Sequence, residues 1–361
     1  MAIYRPGEVV SGRYRIQHAL SQGGMGAVYL GEQISLGRPV ALKVILPHHE
    51  DHDALRARFE HEARAVCQLH HPNIITYHDY GHDEDGRPYL VMEYLQGYPG
   101  TDFVYNPPVP TLEACAHVLG QLASALAEAH ARGIIHRDLK WSNAMVVPQG
   151  HDPLFTKLID FGILKVALDG SSGDQRRELT RTGVLLGTPQ YMSPEAICGQ
   201  PLDGRADQYS LGVMAYELFT GRRPFESESR LELLRQHVQD PPPPMRDIGP
   251  ARGEHPALEA AIRRALAKSP GDRFPTISAF HAALARAVGL AEPSAAAAAP
   301  QHRRISRAGG ATPQEVPRTD AGPLADPTGV RSAPPRAATP SAAFPPAGGP
   351  PPLASATAHR I

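Results

Sequence analysis

Two acidic residues and one amide, close together in the sequence, are the first candidates for chemistry. Asp138 and Asn143 lie in the stretch H-R-D-L-K-W-S-N at 136–143, and Asp160 opens a D-F-G triplet after a short strand-like run. This spacing is that of phosphoryl transfer, in which one carboxylate accepts a hydroxyl proton while another carboxylate and an amide hold magnesium. Asp138 is therefore the candidate base, and Asn143 and Asp160 are the candidate metal ligands.

Composition limits the fold and the partners. The chain has 361 residues, of which 42% are hydrophobic, enough for a large core. Its 36 basic and 37 acidic side chains nearly cancel, so no general attraction to nucleic acid or anionic lipid is expected. Three cysteines argue against a disulfide-rich secreted scaffold, and neither a secretory signal nor an apolar run of membrane-spanning length is present. We expect a cytoplasmic protein without a membrane span.

The last part of the chain has a different composition. From about Glu292 onward it consists mainly of Ala, Pro, Gly, Ser and Arg, with few large apolar side chains. Such a segment cannot bury enough apolar surface to offset the entropy lost on folding. We predict a disordered tail over 289–361.

The first part of the chain predicts a small antiparallel sheet. Stretches 14–20, 27–32 and 39–46 are rich in β-branched or aromatic residues, with turn residues between them. The first turn, S-Q-G-G-M-G at 21–26, contains three glycines, which let backbone N–H groups approach phosphate oxygens without hindrance from a Cβ atom. Taken alone, the same glycines would also suit a plain hairpin turn.

A lysine and a glutamate in neighbouring elements form a second candidate group. In V-A-L-K-V at 40–44, alternation places Ala41 and Lys43 on one face of a strand, which leaves room for a flat base and a cation near its phosphates. Apolar residues at helical spacing over 53–69 predict a helix with Glu62 in its apolar stripe. Because burying an unpaired charge is costly, we expect an ion pair between Glu62 and Lys43.

The remaining segments predict a mainly helical second half. Segment 207–220 is apolar nearly all round, which is typical of a helix buried at the centre of a domain. Segment 88–95 reads as a buried strand that leads into the connection between two lobes. Further helices are predicted at 111–132, 231–238, 258–267 and 277–288.

In this order, the segments resemble the eukaryotic-like (Hanks-type) serine/threonine protein kinases of bacteria over about 14–288. The shared motifs are S-Q-G-G-M-G-A-V-Y, V-A-L-K, the helix glutamate, H-R-D-L-K-x-x-N, D-F-G, G-T-P-Q-Y-M-S-P-E and D-Q-Y-S-L-G. The resemblance implies an α+β, bilobal protein-kinase fold, with a small antiparallel-sheet N-lobe carrying one helix (14–95) and a larger helical C-lobe (97–288). It also implies transfer of the ATP γ-phosphate to Ser and Thr hydroxyls of protein substrates, with Mg²⁺, or Mn²⁺ in its place, as cofactor.

The resemblance assigns roles to individual residues. Asp138 would orient and deprotonate the hydroxyl, Lys140 would meet the γ-phosphate, and Lys43, held by Glu62, would bind the α- and β-phosphates. Met92 is expected to be the gatekeeper beside the adenine. The expected nucleotide-binding residues are Leu20, Ser21, Gly23, Gly24, Met25, Gly26, Val28, Ala41, Lys43, Met92, Glu93 and Leu95, with Glu93 and Leu95 contributing backbone hydrogen bonds.

Two positions depart from the family pattern. Ser21 stands where the first glycine of the loop belongs, so a Cβ atom at a strained turn is expected to alter the loop shape. Trp141 replaces the commoner proline after Lys140, and we expect altered packing there without loss of activity.

The segment 160–195 has the features of a regulatory switch. It is polar and contains glycines. In this family Arg137 pairs with a phosphorylated threonine, so we expect autophosphorylation at Thr180 and Thr182, with self-association for transfer between two copies. The alternative is a flexible loop that is never modified.

Two further residues of this segment are expected to act structurally. By analogy, Thr188 would contact Asp138 and Lys140 and shape the substrate groove. Glu195 would form a buried ion pair with Arg273 of the D-R-F triplet and hold the segment to the helical lobe.

Two alternatives were weighed against a protein kinase. A pseudokinase that binds nucleotide without transferring phosphate predicts damaged catalytic positions, but each of the expected residues is present: Lys43, Glu62, Asp138, Asn143 and Asp160. A small-molecule kinase of the aminoglycoside type would lack the G-T-P-x-Y and S-P-E segments, and this chain has both.

Overall fold

The computed structural model describes residues 3–23, 26–45, 52–162, 188–245 and 255–289, without the side chains of 52–59. Gly24, Met25, Thr180 and Thr182 lie outside the described residues, as does the predicted tail from residue 290 onward. Within the part of the chain that is described, no helix is both long enough and apolar enough to cross a bilayer.

Six strands form the N-terminal sheet, and all neighbouring strands pair antiparallel in the order β1-β2-β3-β4-β6-β5. The strands are β1 (Val9–Val10), β2 (Tyr14–Gly23), β3 (Gly26–Gln33), β4 (Arg38–Ile45), β5 (Tyr77–His82) and β6 (Pro88–Glu93). The predicted antiparallel sheet is confirmed. It also includes β1, upstream of the expected start at residue 14.

Both faces of this sheet are buried. The predicted alternation in β4 is confirmed, because Val40, Leu42 and Val44 are fully buried on the outer face while Ala41 lies in the other apolar cluster. The outer face is covered by the N-terminal segment, whose Tyr4 is 2% exposed. Residues before β2 therefore complete the N-lobe rather than precede it.

One helix, α1 (His52–Cys67), lies between β4 and β5, as predicted. Its apolar stripe is buried at Ala63 and Val66, and Leu69 just beyond the helix is buried with them. This packing sets the helix against β5 and β6 of the sheet.

The C-terminal part is mainly helical and includes a small sheet of β7 (Tyr98–Pro99), β8 (Ala144–Val146) and β9 (Thr156–Leu158). Its described α-helices are α2 (Gly100–Tyr105), α3 (Leu112–Ala131), α4 (Pro194–Ile197), α5 (Gly204–Thr220), α6 (Arg230–Gln239), α7 (Pro256–Ala265) and α8 (Ile277–Ala287). The predicted bilobal α+β fold is thus observed.

Helix α5 is the central element of this lobe, and its side chains are buried on nearly every side. It begins earlier than the predicted 207–220, because the Asp203 carboxylate caps it by accepting the Arg205 N–H at 2.8 Å. It ends at Gly221, whose φ of 75° is a left-handed conformation that glycine adopts without strain. This helix contacts residues 136–143, the catalytic loop that carries the candidate base Asp138, through Asp207 and Met214.

Candidate active site

The catalytic loop is fastened to α5 by one buried carboxylate. Asp207 accepts the backbone N–H groups of His136 at 2.8 Å and Arg137 at 3.0 Å. Arg137 has a φ of 63°, a strained conformation for a residue with a side chain, and these hydrogen bonds help to hold it. Burial alone would raise the pKa of Asp207, but the hydrogen bond from His130 and neighbouring positive charge bring that pKa below its ordinary value.

The role of Asp207, within the D-Q-Y-S-L-G motif, was not predicted from the sequence. A signal was present, because an acidic residue in a helix that is apolar on all sides must have a buried partner. The partner is the strained backbone of the loop that carries the candidate base.

The candidate base lies in a group of polar side chains. The ammonium of Lys140 is 3.0 Å from Oδ2 of Asp138 and donates to Oγ1 of Thr188 at 2.9 Å. Asn143 donates its amide N–H to the Asp138 backbone carbonyl at 2.8 Å and to its carboxylate at 3.2 Å. The predicted contact of Thr188 with Lys140 is confirmed. Because the side-chain NH₂ of Asn143 faces Asp138, the side-chain oxygen Oδ1 of Asn143 is the atom suited to a metal ion.

The D-F-G segment is hydrogen-bonded to the catalytic loop on both sides of Asp160. Ile159 donates its backbone N–H to the Asn143 carbonyl at 2.8 Å, and Gly162 donates to the His136 carbonyl at 2.9 Å. Asp160 itself has a φ of 61°, again left-handed. Strained residues of this kind persist only where the surroundings over-determine them, and they concentrate at functional sites. The two candidate metal ligands are thus brought together by backbone pairing.

Lys43 reaches this group from the N-lobe. Its ammonium lies 2.5 Å from Oδ1 of Asp160. The expected ion pair with Glu62 is not present among the described side chains. The Glu62 side chain is only partly buried, so solvent still hydrates it and no desolvation cost forces it to find a cation. Helix α1 therefore buries Glu62 less deeply than the apolar pattern of the helix indicates.

The cleft side of the N-lobe sheet carries the expected base-binding residues. Ala41 on β4 is paired in register with Met92 on β6, and Val28 on β3 is paired with Lys43. Ala41 is 7% exposed and Met92 is 5% exposed. Directly paired residues project to the same face, so one apolar surface lies next to the lysine ammonium.

The end of the glycine loop is fixed by steric limits at Gly26. Its φ is 150°, and a Cβ atom built on it would lie 2.0 Å from the Val44 carbonyl oxygen. Ser21 lies inside β2, where it is paired with Val28, and its φ is not positive. The expectation of a strained turn at Ser21 was therefore wrong, because the residue belongs to the strand. Leu20, beside it, is 42% exposed.

The connection after β6 is held by Glu93. Its backbone N–H donates to the Thr76 carbonyl at 2.9 Å, so its carbonyl is the backbone group suited to adenine. Its carboxylate accepts the Thr76 N–H at 2.7 Å and the Lys157 ammonium at 2.6 Å. Burial would raise the pKa of Glu93, but these bonds and the Lys157 charge lower it. Leu95 packs against the main apolar core.

The chemistry of the donor set fits magnesium. No group of three or more His, Cys, Asp or Glu side chains with metal-binding geometry occurs among the described residues. The candidate ligands are only two side chains, Asn143 and Asp160, and each would bind a metal ion through oxygen. Magnesium is usually held by one or two carboxylates together with phosphate oxygens and water.

The segment after Thr188 is anchored as predicted. The two guanidinium nitrogens of Arg273 lie 2.7 Å from the two carboxylate oxygens of Glu195, and both side chains are buried. Arg273 also donates to the backbone carbonyls of Arg205 and Ala267. This bidentate pair fixes the end of the segment against the ends of two helices.

Comparison with known proteins agrees with this geometry. Residues 14–282 match the family model described as protein kinase domain. The serine/threonine-protein kinase Pkn1 of Myxococcus xanthus is 46% identical over 281 residues, which are 78% of this chain and 39% of that protein. The serine/threonine-protein kinase PknA of Mycobacterium tuberculosis is 36% identical over 285 residues, which are 78% of this chain and 62% of that protein. The chain thus spans less than two thirds of the length of either relative.

A solved structure is similar over the same region. The crystal structure of the Mycobacterium tuberculosis PknI kinase domain gives a TM-score of 0.61 at 29% identity, covering 80% of this chain and 100% of that one. The family match covers most of the chain, and the solved domain has the same bilobal architecture. The chain therefore belongs to the protein kinase domain family, as a bacterial Hanks-type serine/threonine kinase domain.

Proposed function

We propose that this protein transfers the γ-phosphate of ATP to Ser and Thr hydroxyls of protein substrates. The observation that carries the proposal is the convergence of side chains from distant parts of the sequence. Lys140 contacts Asp138, Asn143 contacts Asp138, and Lys43 contacts Asp160. The relatives named above are serine/threonine-protein kinases, which supports the same activity.

In the proposed mechanism, Asp138 orients the substrate hydroxyl and accepts its proton. Lys140, 3.0 Å from that carboxylate, stabilises its charge and meets the phosphate group during transfer. Asn143 holds Asp138 in place through its amide N–H. Asn143 and Asp160 would hold magnesium, which when bound neutralises charge on the phosphates. Positioning and charge are the main needs of this reaction, because little covalent work falls to the protein.

The nucleotide would lie between the two lobes. Ala41, Val28 and Met92 would contact the base, and the backbone of Glu93 and Leu95 would bind its polar edge. The N–H groups of the glycine loop, Gly23 to Gly26, would approach the phosphates. The steric limit at Gly26 fixes where the loop ends, because a side chain there would strike the backbone of β4.

We further propose that the domain is switched on by phosphorylation of its own Thr180 or Thr182, with transfer between two copies. Arg137 would bind the phosphorylated threonine. Mass spectrometry of the purified protein after incubation with ATP and magnesium should find phosphate at one of these threonines. An Asp138→Ala variant incubated alone should carry none. If the active protein carries phosphate at neither threonine, this part of the proposal is wrong.

The transfer itself can be tested with radiolabelled ATP and myelin basic protein as acceptor. We expect label in the acceptor with the unaltered protein and none with Asp138→Ala or Asp160→Ala. Circular dichroism of the variants should remain that of the folded protein. A folded, unaltered protein that binds ATP but labels neither the acceptor nor itself would instead identify a pseudokinase. Near-normal transfer by either variant would refute the assigned roles.

We place this activity in the cytoplasm. The proposal rests on the cysteines, since Cys67, Cys115 and Cys198 form no disulfide. Substrates would be proteins with accessible Ser or Thr.

A further inference from the structure

Trp141 is the only tryptophan of the chain, and it lies inside the catalytic loop. It begins a short 3-10 turn, Trp141–Asn143, directly after Lys140. Its side chain is 0% exposed and is among the largest fully buried side chains. The loop therefore points its largest side chain into the C-lobe at the position between the candidate phosphate-binding lysine and the candidate metal-binding asparagine.

The indole is held by two helices. Its Nε1–H donates to the Met214 backbone carbonyl at 3.2 Å, in the middle of α5. Its ring centroid is 6.5 Å from that of Phe103 on α2, with the planes tilted by 48°. Helix α2 also approaches closely at Gly100, where a Cβ atom would lie 2.9 Å from Cε3 of Trp141 and 2.9 Å from its carbonyl oxygen. The space between α2 and α5 thus matches the shape of an indole.

These contacts connect the catalytic loop with the segment that follows the lobe connection. Helix α2 begins directly after β7, and β7 pairs with β8, the strand that leaves the catalytic loop. Asp207 fixes the start of the loop to the first turn of α5, while Trp141 fixes its second half to the middle of the same helix. Two anchors on one helix determine both the position and the tilt of the loop.

We propose that Trp141 is a positioning residue of the active site, which sets the spacing of Asp138, Lys140 and Asn143 by wedging the loop between α2 and α5. The proposal rests on the proposed kinase function. A proline, which is common at this position, would make the loop rigid through its ring. Here the packing of the indole and its N–H hydrogen bond make the loop rigid instead. A displacement of reacting groups by about 1 Å can reduce a rate by about 100-fold, so the wedge matters for turnover.

If Trp141 only fills the core, its loss should lower stability without a specific loss of kcat. A matched control variant distinguishes this structural role from a positioning role. Phe280 on α8 is also an aromatic side chain with 0% exposure in the C-lobe, and its ring packs on that of Phe274. Truncating either Trp141 or Phe280 to leucine leaves unfilled space in the core and lowers stability. Only the Trp141 change should alter the catalytic loop.

The experiment compares Trp141→Leu with Phe280→Leu by thermal unfolding and by steady-state transfer to myelin basic protein. We expect both variants to unfold at lower temperature. Only Trp141→Leu should lose kcat, by about 10- to 100-fold, with the KM for ATP changed by less than about threefold. Gly100→Ala, which presses on both the indole and the backbone carbonyl of Trp141, should also lower kcat. Trp141→Phe, which keeps a ring and removes the N–H donor, should fall between the two leucine variants.

The kcat values of the two leucine variants decide between a positioning role and a purely structural role. Equal kcat losses in the two leucine variants, or unchanged kcat in Trp141→Leu, would overturn the inference. If the unaltered protein transfers no phosphate at all, the proposed function fails instead. Should Trp141→Leu not fold, Gly100→Ala and Trp141→Phe decide the question by the same kinetic criterion.

Discussion

At the scale of single residues, the ammonium of Lys43 and a metal ion would compete for the same carboxylate. Lys43 lies 2.5 Å from Oδ1 of Asp160, an oxygen suited to magnesium. Two cations cannot share one carboxylate oxygen without strong repulsion. When Asp160 holds a metal ion, Lys43 needs another acid, and Glu62 on α1 is the candidate. We therefore expect a Lys43–Glu62 ion pair to form when Asp160 holds a metal ion.

This leads to a prediction for Glu62. Glu62→Gln should leave thermal stability nearly unchanged, because Glu62 forms no ion pair here with Lys43 and partly exposed substitutions typically cost less than about 0.5 kcal/mol. The same variant should lose at least about tenfold in kcat/KM, because Lys43 would lack its partner during transfer. Glu60→Gln, two residues earlier on α1, is the matched control. Full activity in Glu62→Gln would show that Lys43 works without this acid.

At the scale of elements, the glycine loop contains two glycines with opposite steric situations. A Cβ atom at Gly26 would lie 2.0 Å from the Val44 carbonyl oxygen, whereas one at Gly23 would have no atom within 4 Å. Gly26→Ala must therefore disturb the pairing of β3 with β4, and Gly23→Ala need not.

We expect Gly26→Ala to lower the unfolding temperature and to raise the KM for ATP, because the strand that carries Lys43 is displaced. Gly23→Ala should unfold at nearly the temperature of the unaltered protein. Differential scanning fluorimetry with and without ATP measures both effects. Equal unfolding temperatures for the two alanine variants would contradict the described loop geometry.

Elements were easier to predict than contacts. The all-round apolar pattern of α5 located a buried helix correctly, but its first turn was missed because nothing in the pattern distinguishes the cap Asp203 from a loop residue. The Glu195–Arg273 pair was predicted from its motif and is confirmed. The sequence could not predict whether Lys43 pairs with Glu62 or with Asp160, because the answer depends on how deeply α1 buries Glu62 and on the distance between the lobes. A local sequence pattern predicts helices and strands, but it does not give distances between residues far apart in the chain.

At the scale of the whole molecule, buried histidines make the domain sensitive to acid. His136 at the start of the catalytic loop and His237 on α6 are both 0% exposed. Burial lowers the pKa of both imidazoles, and for His237 the pKa falls to about 3, with the charge of Lys268 contributing. The folded protein therefore keeps these rings neutral at a pH where the unfolded chain takes up protons.

The sign of the effect follows from this difference. A histidine whose pKa is lower in the folded state contributes stability above the unfolded pKa, near 6.5, and this stability is lost as the pH falls toward about 3. At pH 5, His237 alone would reduce the free energy of unfolding by about 2 kcal/mol relative to neutral pH. Urea unfolding at pH 7.5 and pH 5 measures this loss. His237→Gln should show a smaller difference between the two pH values, and an unchanged difference would exclude His237 as a contributor.

The cover on the outer face of the N-lobe sheet has a practical consequence for anyone who produces this domain. Tyr4 donates its hydroxyl to Asp83 at 2.5 Å, and its backbone N–H donates to the Tyr29 hydroxyl at 3.1 Å. A fragment that begins at residue 14, where the family match begins, would lack Tyr4 and Val10 and would expose an aromatic and aliphatic surface to solvent. An exposed apolar surface of this kind promotes aggregation. A fragment that includes Ile3 and the residues after it should therefore stay more soluble than one that begins at residue 14.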